Sequence, residues 1–449
     1  MHANGPRLAA HRIFGDPQRR QSQDIASAQS TTTEGVLACT LLLLALLLGG
    51  GTRNYLFTDL VVQFAAIPLL VFALHRHLNR PATRLMRESM LLLAMLVALP
   101  LLFLIPLPAR LWTWLPGRDV IAAMQAAHGL SGGFLKPLSL DPIASWAALR
   151  AMLPALALAL LTLLLDHVWR RRLLYLVILA GVFTVPLGLA QMNGGPHSEL
   201  RFYLPTNPQD AVGLFANRNH FAALLVSGLT LVGVFMLEEL AARRRTSDYG
   251  RLRVATWAML AAVLVFGLAL SRSRAGVGLA CLSMAACALL AWRQIGSRAL
   301  PWIVVSGSVL LLLGFQVGFL WIAERAQQFF TGDQRWQILG ASGALAREFA
   351  WLGVGPGAFP AAYAAFEPID VLGPRIVNHA HNDWLEWWIE IGLLLPLVAA
   401  LIFRWFFART RELFAAPTEE HSPTPIYVQG AWLAILVALI HSAFDYQLR

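Results

Sequence analysis

Hydrophobic runs of about 20 residues recur along the whole chain, and that repetition leaves few folds open. A run of that length spans the hydrocarbon layer of a bilayer when it is helical. Lipid offers backbone groups no partner, so only helices or closed barrels can cross it. These runs are continuous rather than alternating, which selects helices. Composition agrees: 57% of the 449 residues are hydrophobic and 13% charged, where soluble domains carry about a quarter charged residues.

Eleven spans are expected, at roughly 36–51, 55–74, 89–107, 144–165, 173–192, 221–237, 254–271, 275–292, 302–322, 385–407 and 430–444. The predicted fold class is an all-α polytopic membrane protein of about 11–12 transmembrane helices with one large outer loop. It divides into a tail over 1–35, a transmembrane bundle over 36–322, the large loop over 323–384 and closing transmembrane segments over 385–449. The tail is polar, carries Arg7, Arg12, Arg19 and Arg20, and lacks the apolar core of a cleavable signal peptide.

Connector charge sets orientation. With the tail in the cytoplasm, the inner connectors hold Arg76, Arg80, Arg84 and Arg87; Arg170, Arg171 and Arg172; Arg243, Arg244, Arg245, Arg251 and Arg253; Arg293 and Arg298; and Arg404, Arg409 and Arg411. Together with the tail, 21 of the 35 basic residues then lie inside, in short connectors. The net charge of +10 therefore reads mainly as topology, and no basic stripe interleaved with aromatics suggests nucleic acid. Cys39, Cys281 and Cys287 sit in apolar runs without Cys-x-x-Cys spacing. They are expected to be small buried hydrophobes, not a disulfide framework or a metal site. No set of His, Cys and carboxylates has metal-ligand spacing.

Arginine on the outer side runs against that bias. The same alternation puts Arg218, His220, Arg272, Arg274, Arg335, His379 and His381 there together. Arg272 and Arg274 occupy a tight turn, Ser-Arg-Ser-Arg-Ala-Gly at 271–276, with few acidic residues beside it. A guanidinium has a donor fork matched to phosphate oxygens, so a bound anion is a reasonable partner; snorkelling to the interface is the plainer reading. Arg218 opens a span, where free N–H groups already favour an anion, although Asn217 also fits a simple helix cap. Arg335 fits either a binding role or a loop salt bridge with Asp333 or Glu348.

The stretch 376–392 carries two histidines into an apolar helix, with His381, Trp384, Leu385 and Trp388 expected on one helical face. Imidazole takes and returns a proton near neutral pH, which suits a general base; residence beside the tryptophans at a lipid interface is the alternative. Glu390 lies deep enough to need a partner, for which the outer arginines are candidates. His75 and His77 are expected at the inner interface. Gly353 to Gly357 lacks the Gly-Lys-Ser/Thr ending of a phosphate loop and reads as a rigid turn.

In order and spacing these motifs resemble the O-antigen ligase and polymerase superfamily of bacterial inner-membrane glycan transferases. The resemblance rests on Asn217-Arg218-Asn219-His220, the turn at 271–276, Gly332-Asp333-Gln334-Arg335-Trp336, His381-Asn382-x-x-Leu385 with Glu390-x-Gly392, and His441-Ser442 with Asp445. It covers roughly residues 200–449. It implies a GT-C-like, inverting, metal-independent glycosyltransferase without a cofactor, acting at the periplasmic face. The implied donor is a glycan on undecaprenyl diphosphate, and the acceptor a sugar hydroxyl on lipid A–core, a glycan or a protein. By motif position His381 would be the catalytic base and Arg218, Arg272 and Arg274 would grip the diphosphate. Arg335, His379, Asn382 and His220 would be further substrate contacts. A polymerase is the nearest alternative. A lipid-linked-glycan transporter is one of another class, which would more often place charge at midplane within paired half-repeats.

Overall fold

The computed structural model describes residues 17–52, 57–81, 83–129, 133–242, 248–300, 304, 307, 308, 334–367, 376–415, 425–443 and 445, with side chains except at 17–30 and 334–336. The chain is an all-α polytopic membrane protein. Among the described residues, eight helices are long and apolar enough to cross a bilayer. They are α1 (Pro17–Leu48, apolar from Thr31), α2 (Phe57–Leu78), α3 (Arg84–Phe103), and, after a short connecting module, α6 (Pro142–Leu164), α7 (His167–Asn193), α8 (Arg218–Ala241), α9 (Asp248–Ser271) and α10 (Arg274–Ile295). The expected span at 302–322 falls almost wholly outside the described residues.

Helix α8 is the centre. Some 67% of its apolar window is buried, against 6–33% for the other seven. A helix that is apolar on every side belongs in the interior. Phe221, Leu225, Leu229, Val232 and Phe235 pack there against Ile178 and Val185 of α7, Leu264 and Leu268 of α9, and Leu279 of α10. A late helix, α15 (Ile426–His441), closes the cluster with Tyr427 and Val437. The first three helices and α6 form a second bundle around Ala38, Ala73, Leu161 and Leu164.

The two ends of the bundle differ in chemistry. At one end Arg76 and Arg80 share buried Glu34 at 2.7 and 3.1 Å, Arg171 meets Glu238 at 2.8 Å, and Arg253 meets Glu239 at 2.8 Å. The arginines expected on the inner side thus hold helix ends together. His77, expected at the interface, is buried, with Nε2 at 2.9 Å from Leu160 O. Cys281 is exposed rather than buried, because its face of α10 looks out of the bundle; Cys39 and Cys287 are half-buried.

The opposite end carries a folded cap. Between α3 and α6, β1 (Pro106–Pro108) pairs antiparallel with β2 (Leu135–Pro137) around α4 (Ala109–Thr113) and α5 (Arg118–Ala127). Against this module lie α11 (Gln334–Glu348), α12 (Phe359–Phe366) and α13 (Asp383–Ile391), sharing a core of Leu345, Phe349, Val354, Phe359, Tyr363 and Ile389. The interval 385–407 is not one helix. Helix α13 stops at Ile391, Gly392 turns with φ +55°, and α14 (Leu394–Phe414) begins afresh. A Cβ on Gly392 would lie 2.7 Å from Ala350 O, so glycine alone fits this break.

Arg118 latches the two parts of the cap. Its side chain is buried and donates to Gly353 O at 2.7 Å, Leu138 O at 2.9 Å and Pro116 O at 3.3 Å, 5.7 Å from the Phe349 ring centroid. Burial pushes the guanidinium pKa down to about 10, so it is still charged at neutral pH. Arg118→Met strands these carbonyls, at a cost of about 2 kcal/mol. The expected outcome is a roughly thirtyfold larger open population of the cap, read as faster proteolysis within 334–367 while the spans stay protected.

Candidate active site

Four chain segments converge beneath the cap, each fixed by local chemistry. Asn217 is extended, at φ −120° and ψ 129°, and its side chain accepts from Asn219 N, starting α8 as an N-cap. Arg218 and Asn219 thereby become the first buried residues of that helix. In the turn from α9 to α10, Ser273 caps α10 by accepting from Gly276 N at 3.1 Å. Between buried Ser271 and Ser273, Arg272 takes φ +51°. Asn382 caps α13 by accepting from Leu385 N at 3.0 Å, and His381 just before it takes φ +55°. The fourth segment is the end of α15, with Ser442 and Asp445 beyond it.

One hydrogen-bonded chain joins all four. The Ser273 hydroxyl donates to Asn219 Oδ1 at 2.8 Å. Asn219 Nδ2 donates to Asp445 Oδ2, and Asp445 Oδ1 lies 3.2 Å from His381 Nδ1. Asp445 is fully buried, and its own N–H donates to His441 O at 3.1 Å. Asp383 N donates to Ser442 O at 2.9 Å, pinning the start of α13 to the end of α15. With Asp445 ionised, the His381 proton belongs on Nδ1 and Nε2 is left as the basic nitrogen.

Beside this chain lies a guanidinium cluster. Asp210 Oδ2 meets Arg218 Nη1 at 2.5 Å, and its Oδ1 lies 3.6 Å from Arg272 Nη1. Arg218 has a side-chain exposure of 9%, whereas Arg272 reaches 36%. The loop carrying Asp210 is built rigidly. Buried Gln191 donates to Gly213 O at 2.7 Å and Leu200 O at 3.0 Å, and accepts from Gly213 N at 3.0 Å. Arg201 donates to Pro208 O at 2.7 Å and Asp210 O at 3.2 Å. Burial lowers the Arg201 pKa, and nearby Asp210 opposes the shift.

The expected residues fall out as follows. Arg218, Arg272 and His381 come together through Asp210, Asn219, Ser273 and Asp445. Arg274 begins α10 beside them, half-buried, and His220 lies in the first turn of α8 with its ring edge-on to Phe215. His379 turns instead to Glu386, at 3.0 Å, which also accepts from Ala380 N at 2.8 Å. Arg335 lies in the first turn of α11, and its side chain is outside the described residues.

One expectation changes, and two neighbouring groups take on backbone contacts. His381 is not on a helical face with Trp384 and Trp388, because the helix starts two residues later. The Asn382 side-chain oxygen is engaged as a helix cap. Glu390, buried, accepts from Gly357 N at 2.9 Å. Asp210 escaped the sequence reading altogether. Its signal was that Glu199 and Asp210 are the only acids in the loop 194–217, which leads straight to Arg218. Among the described residues, no three His, Cys, Asp or Glu side chains group as a metal site.

Asp210→Ala leaves buried Arg218 without this carboxylate. It is expected to cost about 3 kcal/mol, seen as a lower unfolding midpoint in detergent. Asp210→Asn keeps an acceptor and should lose less.

Residues 258–400 match the family model described as O-Antigen ligase. The matched stretch includes Arg272, Ser273, Arg274, His379, His381 and Glu386; Asp210, Arg218, Asn219 and Asp445 lie outside it. No curated protein matches the chain.

Proposed function

We propose, from the match of residues 258–400 to the O-Antigen ligase family model together with the site geometry, that this chain is a ligase-type glycosyltransferase. It moves a glycan from undecaprenyl diphosphate to an acceptor sugar hydroxyl, on lipid A–core or another glycan, at the periplasmic face of the bacterial inner membrane. Its N-terminus is cytoplasmic. The observation that carries the reading is the His381–Asp445 pair set next to the Asp210–Arg218–Arg272 cluster.

The chemistry follows from that juxtaposition. The acceptor hydroxyl oxygen attacks the anomeric carbon while His381 Nε2 takes its proton. The bond from that carbon to the diphosphate oxygen breaks, and its electron pair leaves with the diphosphate. A single displacement inverts the carbon and calls on no metal or cofactor. Asp445 keeps the imidazole in the required tautomer and stabilises the imidazolium that forms. Arg272 and Arg274, with Arg218 behind them, hold the diphosphate and stabilise the charge it gains as the bond breaks. Arg272 is the more accessible partner of Asp210, so a diphosphate would meet it first. His220, His379, Asn382 and Arg335 remain further contacts around the sugars.

The site lies at the end opposite the paired inner arginines, which supports a periplasmic active centre. A transporter would place its charges at midplane instead.

The test is transfer by purified protein given lipid-linked glycan and candidate acceptors. His381→Ala should reduce transfer about 10²–10⁴-fold with insertion and folding retained. Normal product from that variant removes the assigned role. Asp445→Asn should lower kcat while leaving donor KM nearly unchanged. Arg272→Ala and Arg274→Ala should instead raise the donor Kd, and unchanged donor affinity in both excludes them. In a deletion strain, long lipid-linked glycan left unattached identifies a ligase, and accumulation of single repeat units a polymerase.

A further inference from the structure

The module between α3 and α6 stands outside the proposed reaction, and its two faces differ in chemistry. On the inner face Trp112 Nε1 donates to Pro137 O at 2.8 Å, and Lys136 Nζ lies 4.6 Å from the Trp112 ring centroid. A helical residue advances about 100° per position, so Arg110, Leu111 and Trp114 point away from Trp112 on neighbouring lines. Strand neighbours alternate between faces, so Leu135 points away from Lys136. The two elements are fastened to each other: Pro108 pairs with Leu135, and Ala109 N donates to Phe134 O at 2.9 Å. Leu111, Trp114, Phe134 and Leu135 are accordingly 49%, 80%, 82% and 53% exposed, and Arg110 is exposed beside Leu111. Four large apolar side chains and one cation thus form an outward face.

The helices on either side fix the level of that face. Helix α3 has 20 residues, which rise about 30 Å, the thickness of the hydrocarbon layer. Its last turn therefore reaches the hydrocarbon boundary at the site end. Ser139 N donates to Phe103 O at 2.8 Å and Leu138 N to Ile105 O at 3.1 Å, so the strands begin at that boundary. Helix α6 returns from the same level, with Ile143 and Trp146 of its first turns exposed. Helix α3 also stands at the perimeter of the bundle: 6% of its apolar window is buried, and Leu101 and Leu102 in its last turn face outward. The module's apolar face thus continues a flank that lipid already covers. Tryptophan, phenylalanine and leucine beside arginine suit the headgroup layer, where apolar side chains enter the first acyl carbons and a guanidinium reaches phosphate.

We propose that Arg110, Leu111, Trp114, Phe134 and Leu135 dock this module on the bilayer leaflet at the site end. The acyl boundary takes the four apolar side chains, and lipid phosphates take the guanidinium. Helix α5 of the same module carries Arg118, whose side chain holds Gly353 O. Docking therefore ties the cap that bears His381 to the membrane surface.

A photoreactive benzophenone side chain, placed at position 114 or 134 of the full-length protein, reports what covers this face. The protein is held in nanodiscs of phosphatidylethanolamine and phosphatidylglycerol. Position 71, exposed on the flank of α2, is the lipid reference, and position 248, exposed at the opposite end of the bundle, is the water reference. Probes at 114 and 134 should form phospholipid adducts in a yield near that at 71, with none at 248. The two probes sit on different elements, so failure of one to fold leaves the other to read. Leu111→Asp together with Trp114→Asp should lower the adduct yield at 134 severalfold; a yield unchanged by that pair shows that the residues do not dock as one face. Protein adducts in place of lipid adducts assign the face to a second copy or another subunit and overturn bilayer docking. No adduct at either position while 71 reacts leaves the face in water, which overturns it equally.

Discussion

The buried carboxylate of Asp445 is the constraint on which the site end of this molecule depends. A carboxylate removed from water is costly unless hydrogen bonds and opposing charge surround it. Here one oxygen accepts from Asn219 on α8 and the other faces His381 ahead of α13. The end of α15, the start of α8 and the approach to α13 must therefore meet at one place. Ser273 adds the α9–α10 turn by donating to Asn219. The convergence is thus a consequence of satisfying one buried charge, and the reactive imidazole is among the groups used to satisfy it.

Backbone strain points to the same place. Among the described residues, the non-glycine positions with positive φ are Arg272 and His381. A left-handed conformation costs a side-chain-bearing residue about 1–2 kcal/mol, so it persists only where neighbours over-determine it. For Arg272 those neighbours are the serines on either side, whose hydroxyls bond Leu268 O and Asn219. For His381 they are Asn382, committed as a cap, and Ala380, whose N–H is held by Glu386. Each strained residue is pushed out from a fixed frame, and each carries the side chain assigned to chemistry in the proposed reaction.

Much of this was legible in residue order. Long apolar runs gave the eight spans described up to residue 295, though not the break within 385–407, and the arginine bias gave an alternation that gathers residues 218, 272 and 381 at one end, as the structure does. Three things were not legible. Asp210 lies in a loop without periodicity; its scarcity as one of two acids there marks it, but not its place between Arg218 and Arg272, which only the fold sets. The break at Gly392 is hidden because the flanking residues are apolar on both sides; the tertiary approach of Ala350 and Gly353 to Gly392 decides it. His381 was placed on a helix because its spacing to Trp384 and Trp388 is helical, yet Asn382 is the better cap and starts the helix after it. Periodicity reports the face a residue would occupy in a helix, not whether the helix has begun.

The cap and the bundle contribute different halves of the site. His381 belongs to the cap: Arg118 holds Gly353, Val354 N and Gly355 N bond Ile389 O and Glu390 O, and α13 runs from there back to the histidine. Gly353 closes this path because a Cβ there would lie 2.2 Å from Glu390 O, leaving no room for another residue. Arg218, Arg272 and Asp210 belong to the bundle around α8. The seam between the halves is crossed by His381 to Asp445 and by Asp383 N to Ser442 O. In the proposed reaction the proton acceptor and the diphosphate ligands therefore stand on opposite sides of one hydrogen-bonded seam. The attacking hydroxyl and the departing diphosphate must lie on opposite sides of the reacting carbon in a single inverting displacement, so a site divided in this way suits that geometry better than one built on a single helix.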